Sequence, residues 1–182
     1  MKGNRAVLTA VVVVVVLIAG WWLFRRGGSG EAVDLLQRFD TAQRRPSPDV
    51  FQVVDANLNG ETKKAIFTSQ AGRIIWKVRV PDDAWLRVAV GTQPESWTKE
   101  GDGMLFMVGV SDGRAFEELF TQHVNPFGNQ GDRRWIPVVV DLSTYSGEDV
   151  ELIFNTYHSA KGQGDDHRND AALWGAPEIF VR

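Results

Sequence analysis

The sequence predicts an all-β fold, an antiparallel jelly-roll β-sandwich, preceded by one N-terminal transmembrane helix and a short amphipathic helix. Three observations carry this reading. Apolar residues alternate with polar ones in several short runs between residues 51 and 181, and turn residues punctuate those runs at sandwich spacing. Two extended segments, 135–140 and 150–157, flank a compact corner made from Asp141, Leu142, Tyr145 and Gly147. The first part of the chain is different in kind: residues 6–24 are apolar apart from Thr9 and Gly20, with an unbroken valine run from Val11 to Val16.

That apolar run spans roughly 28 Å as a helix, close to the hydrocarbon thickness of a bilayer. Valine is a poor helix former in water, but in lipid the backbone must satisfy its own hydrogen bonds, and a single span does so only as a helix. A cleaved signal peptide fits less well, because the apolar stretch continues past Ala19-Gly20 into Trp21, Trp22, Leu23 and Phe24. A buried core helix would need polar interruptions that are missing. The expectation is an uncleaved signal-anchor of a single-pass protein over residues 1–26. Lys2 and Arg5 precede the span and Arg25 and Arg26 follow it, so the charge rule favours a cytoplasmic N-terminus only slightly. The short leading tail supports the same orientation. The larger domain is therefore expected outside the cell membrane, in the periplasm.

Residues 27–49 read as a flexible linker, starting with Gly27, Gly28, Ser29 and Gly30 and carrying the short helix. Ser29 is the expected cap, Glu31 and Asp34 fall in the first turn, and Ala32, Leu35, Leu36 and Phe39 form one apolar stripe. Arg44 to Pro48 ends it.

The sandwich takes residues 50–182. Expected strands are 51–56, 64–68, 74–80, 85–91 and 104–110, the last apolar on both faces and hence central. Asp112-Gly113 predicts a type I′ hairpin with the returning strand beginning at Arg114. Glu117-Glu118 breaks the alternation of that strand, which points to a bulge. At the corner, Asp141 can accept from the N–H groups of Ser143 or Thr144, Leu142 and Tyr145 share one side of a helical turn, and Gly147 supplies positive φ. A final strand lies within 172–181.

Composition narrows the function. Setting aside Lys2, Arg5, Arg25 and Arg26 leaves 16 basic residues against 23 acidic ones, a net charge of −7 that suits neither nucleic acid nor anionic headgroups. With no cysteine, thiolate catalysis and cysteine-ligated zinc are excluded. No nucleophile motif is present, and an enzyme is not expected.

Trp135, Asp141-Leu142-Ser143, Tyr145, Gly147, Val150, Leu152 and Phe154, followed by Asp170, Trp174-Gly175, Pro177 and Ile179, resemble the C-terminal half of galactose-binding-like jelly-roll modules. The same corner recurs in sandwiches of the carbohydrate-binding-module kind and in lectin- and glucanase-like ones. The resemblance covers residues 130–181 and extends over 50–125 only through strand pattern. It implies the fold, a structural calcium ion in many members, and glycan binding at strand-tip loops or on one face. No ligand-contacting motif of such modules is matched here residue by residue.

The residues themselves offer two candidate sites. Trp85, Trp97 and Tyr157 are the aromatics expected to face outward or lie in loops, where a sugar's C–H patches could stack. Asp165, Asp166 and Asp170, in a loop with Gly162 and Gly164, are the candidate calcium ligands; the spacing is not that of an EF-hand, and a plain solvated loop is the alternative. A zinc site from His158, His167 and a nearby aspartate is a further possibility. These readings converge on a membrane-anchored extracytoplasmic binding module for a glycan or a cell-envelope protein. The alternative is a non-catalytic assembly subunit of a larger membrane complex, docking through 31–39.

Overall fold

The computed structural model describes residues 32–158 and 166–182. The apolar run 6–24 and its flanking arginines lie outside these residues, as do Ser29, Glu31 and Asp165. Among the described residues no helix is long and apolar enough to cross a membrane.

Among the described residues, eleven strands follow in chain order: β1 (Val33–Asp34), β2 (Gln43–Arg45), β3 (Gln52–Leu58), β4 (Glu61–Thr68), β5 (Gly72–Arg79), β6 (Ala84–Thr92), β7 (Met104–Ser111), β8 (Phe116–Val124), β9 (Ile136–Asp141), β10 (Asp149–Tyr157) and β11 (Ala172–Val181). They form two antiparallel sheets. Sheet A runs β3-β4-β11-β6-β9 with β1 also on β11, and sheet B runs β2-β5-β10-β7-β8. This is the sandwich the alternation called for, and strand β7 is interior, between β10 and β8, as its two apolar faces required.

The core lies between the sheets. Trp76, Phe106, Phe154 and Trp174 are all at most 2% exposed. Phe154 joins the other rings, 5.0 Å from Trp76 and 4.5 Å from Trp174, while Phe106 meets Trp174 edge-on at 5.0 Å. Leu86, Val88 and Val90 of β6 and Val150, Leu152 and Phe154 of β10 face each other across this layer.

The corner is built as its residues predict. Asp141 Oδ1 accepts from Ser143 N at 2.8 Å, Tyr145 N donates to Leu142 O at 2.9 Å, and Gly147 has φ of +74°. Leu142 is 1% exposed. The corner carries the chain from β9 in sheet A to β10 in sheet B, so it closes one end of the sandwich. Tyr145 adds a 2.7 Å hydrogen bond from its hydroxyl to Glu117 Oε2; burial, and then that carboxylate, push its pKa up to about 12.

Two expectations are corrected. The amphipathic helix over 31–39 is not formed in its described part: Val33 and Asp34 pair with Ile179 and Glu178 of β11, and a 3₁₀ turn covers Phe39–Thr41. Asp34 Oδ1 accepts from Leu36 N at 2.8 Å, which turns the chain after two residues and so competes with a helix. The apolar stripe survives in another form, with Leu35 and Phe39 both buried in the sandwich core. Residues 43–45, placed in the linker by sequence, pair with β5 as the edge of sheet B.

The other correction is the β7–β8 connection. Asp112 Oδ1 accepts from both Arg114 N and Ala115 N at 2.8 Å, and Gly113 has φ of +87° while Asp112 keeps negative φ. An aspartate-capped four-residue loop results in place of the two-residue type I′ turn, and the returning strand starts at Phe116. The bulge falls where Glu117-Glu118 suggested, with the register shifting between the pairs Val108–Phe120 and Gly109–Glu118.

Candidate functional site

The outward face of sheet A is shaped by small residues. On β6 the inward Leu86, Val88 and Val90 alternate with outward Arg87, Ala89 and Gly91. On β11 the outward positions next to them are Leu173 and Gly175, and the strand then bulges at Ala176, where φ is +44°, before pairing resumes at Glu178. A small second core grows on this outer face from Ala56, Leu58, Ala65, Ala89, Trp135 and Leu173, with Trp97 packed against it.

Trp135 lies across this surface because Gly175 leaves room for it. A Cβ at Gly175 would sit 2.7 Å from the indole Cζ3, closer than real contacts allow. The indole Nε1 donates to Glu61 O at 2.9 Å, fixing the ring. Beside it opens a groove of about 550 Å³ lined by Lys63, Arg87, Ala89, Pro137, Gly175 and Glu178, among others. Arg87 donates through Nε to Glu178 Oε1 at 2.5 Å, and Lys63 Nζ pairs with Glu61 Oε1 at 2.6 Å. Its floor is thus apolar and its walls carry the Arg87–Glu178 and Lys63–Glu61 ion pairs. The size is that of small-molecule sites.

Two of the three aromatics singled out by sequence belong to this face. Trp85 is half-buried, opposite Phe180, with the Arg182 guanidinium 4.3 Å over its ring; Arg87 in turn lies 4.9 Å over Phe180. Trp97 donates from Nε1 to Thr92 O at 3.0 Å and packs into the small outer core, so its ring is not a free platform. The structure does not bring Tyr157 to them. It ends β10 in sheet B, 39% exposed.

The groove residues Arg87, Ala89, Trp135, Gly175 and Glu178 were not singled out by sequence. The one available signal was the run of small outward residues on β6 opposite a full set of branched inward ones. It shows that something approaches the sheet closely, without showing what.

The candidate calcium carboxylates have separate partners. Asp166 accepts from Arg168 through both oxygens, at 2.9 Å for Nε to Oδ1 and 2.8 Å for Nη2 to Oδ2, and the Arg168 side-chain and backbone donors hold its pKa down to about 2. Asp170 Oδ2 is 2.5 Å from His158 Nδ1, and the His158 and His167 rings are 3.8 Å apart. Asp165 lies outside the described residues. His158 Nε2 accepts from Ala71 N at 3.3 Å, so the ring carries its proton on Nδ1 and shows no lone pair to a substrate. The pair therefore lacks the open nitrogen that a general base would need.

No family model matches the chain. An uncharacterized protein of Archaeoglobus fulgidus is 39% identical over 105 residues, which is 57% of this chain and 25% of that protein. The match thus takes up a quarter of the length of the relative. Among solved structures, the CBM51 module of a Clostridium perfringens GH95 protein in complex with methyl-galactose superposes with a TM-score of 0.51 at 18% identity, over 82% of this chain and 99% of that one. The C. perfringens ZmpB structure holding an M60 catalytic domain with CBM51-1 and CBM51-2 gives a TM-score of 0.51 at 19% identity, over 77% of this chain and 13% of that one. The likeness is one of fold: the chain shares the two-sheet antiparallel β-sandwich of these modules.

Proposed function

We propose that this chain is a non-catalytic glycan-binding module, held at the outer side of a cell membrane by the apolar segment 6–24, and that the groove on the outward face of sheet A takes the sugar. The observation that carries the reading is the composition of that groove: an apolar floor at Ala89 and Gly175, bounded by the Arg87–Glu178 and Lys63–Glu61 pairs, in about 550 Å³. A sugar ring offers C–H patches to such a floor and hydroxyls to such walls. A module of the same fold is bound to methyl-galactose, which supports a carbohydrate as the ligand class. The match to part of a much longer protein agrees with a domain used as an attached binding unit. The apolar run has the length of one span, and the slight charge asymmetry around it supports the extracytoplasmic side.

Direct binding tests this reading. Full-length protein in detergent is screened on a glycan array and hits are quantified by calorimetry, with Arg87→Ala, Glu178→Ala and Ala89→Arg alongside. The expected result is binding that falls at least about tenfold in each variant, since a groove that loses one hydrogen-bonding wall or its open floor forfeits about 1.4 kcal/mol or more. Binding that survives all three changes but is lost in Tyr157→Ala would move the site to sheet B. No glycan binding, with a membrane protein co-purifying instead, would favour the assembly-subunit role.

A further inference from the structure

At the end of the sandwich opposite the Asp141–Gly147 corner, three titratable side chains from two segments come together. His158 follows β10, and His167 and Asp170 precede β11. One nitrogen from each imidazole and one oxygen of Asp170 all lie within 4.8 Å of one another. The Asp170 side chain is only 2% exposed, and its Oδ2 lies 2.5 Å from His158 Nδ1.

A carboxylate removed from water needs a compensating cation. The neighbouring Arg168 does not provide it, because its guanidinium pairs with Asp166 and Glu100 at the surface, with 60% of its side chain exposed. A divalent ion bound by the Asp170 carboxylate and two neutral imidazoles supplies that charge. We propose that His158, His167 and Asp170 hold a divalent transition-metal cation of the zinc type.

Donor chemistry selects the ion class. Two imidazole nitrogens and carboxylate oxygens suit zinc and its first-row neighbours, whereas calcium calls for six to eight oxygens. Asp166, which could have enlarged an oxygen shell, is committed to Arg168. Binding through Nδ1 of His158 replaces the bridge to Asp170 by a metal bond to each partner. The neutral ring then carries its proton on Nε2, and the contact from Ala71 N must open. At 3.3 Å this is the longer of the two hydrogen bonds at His158, so the site gives up its weaker one. Metal loading is thereby coupled to the β4–β5 turn and ties together both ends of the β10–β11 loop. It stands independently of the sugar groove, which lies on the outward face of sheet A.

The test uses full-length protein stripped with a chelator and titrated with Zn²⁺ against a chromophoric zinc indicator. One equivalent is expected to bind, with a rise in melting temperature and a shifted Ala71 amide resonance. His167→Gln removes an exposed ligand without disturbing the core, and it should weaken zinc at least about tenfold, as should Asp170→Asn. His123→Gln, the control for the remaining histidine, should bind as the parent does. Zinc binding unchanged in His167→Gln, or no binding by the parent, would overturn the proposal. An equal melting shift with Ca²⁺ that persists in His167→Gln would overturn the transition-metal assignment.

Discussion

The two ends of the sandwich are closed in different ways. At the β9–β10 corner, the turn itself is shaped by hydrogen bonds between residues two or three apart, Asp141 with Ser143, Leu142 with Tyr145, and Tyr145 with Glu148, while Leu142 N to Ala84 O, Gly147 N to Val80 O and Tyr145 to Glu117 fasten it to the sheets. At the β10–β11 end, His158 meets Ala71 across 87 positions of sequence, and Asn169 Nδ2 reaches Glu100 O across 69 at 2.9 Å. The shape of the first end is set within a short peptide, which is then laid over the core and bonded to its neighbours. The second exists only once four separate segments have been delivered to one place. Local closure yields a rigid plug, and distant closure yields a cluster of functional groups.

The largest expected effect tests the plug itself. Leu142 is 1% exposed beneath the corner, and Leu142→Ala should cost about 3 kcal/mol by lost transfer energy and cavity formation. Urea unfolding with an unchanged m-value measures it. A cost below about 1 kcal/mol would mean the corner collapses onto the gap and does not plug the core.

A smaller effect separates the two kinds of closure. Gly147 has φ of +74° with nothing within 4 Å of an added Cβ, so Gly147→Val should cost roughly 1–2 kcal/mol from backbone strain alone, and Gly147→Asn much less. Asn169 has φ of +60° and also bonds Glu100, so Asn169→Ala should cost roughly 1–2 kcal/mol, and Asn169→Gly should recover only part of it. Equal costs for Val and Asn at 147, or full recovery by glycine at 169, would erase the distinction drawn between the ends.

The smallest effect is a pH dependence. Asp141 has its pKa lowered, first by the Ser143 hydroxyl and then by the Ser143 N–H. A lowered folded value means that its contribution is present above the ordinary aspartate range, near pH 4, and is lost as the pH falls through the folded value. Denaturant midpoints at pH 6 and pH 3 should therefore converge between the parent and Asp141→Asn. A difference that is the same at both pH values would show that the carboxylate's charge does not hold the corner.

The fold was legible because its signals are local and periodic. Alternation set the inward faces of β5, β6 and β10, a broken alternation at Glu117-Glu118 marked the bulge, and glycine at 147 marked the reversal. Where the reading failed, two local preferences competed. The spacing of Leu35 and Phe39 fits a helix and a buried turn equally well, and the decision came from the free edge of β11 that Val33 and Asp34 cover. At Asp112 the side chain capped two backbone N–H groups and lengthened the loop.

The candidate sites were legible only in part. Trp85 and Trp97 were singled out, but the groove is lined instead by Trp135, Arg87, Gly175 and Glu178, brought together by the pairing of β6 with β11 and by the bulge at Ala176. His158, His167 and an aspartate were noted as a set, yet which aspartate joins them cannot be read from spacing. By itself the sequence determined the strand faces, the corner, the acidic balance and an apolar run of membrane-spanning length, since each depends on residues within a few positions or on composition. The tertiary structure alone decided the groove and the histidine–carboxylate cluster, because both are made by strand register and crossovers between sheets that bring together side chains with no local preference for each other.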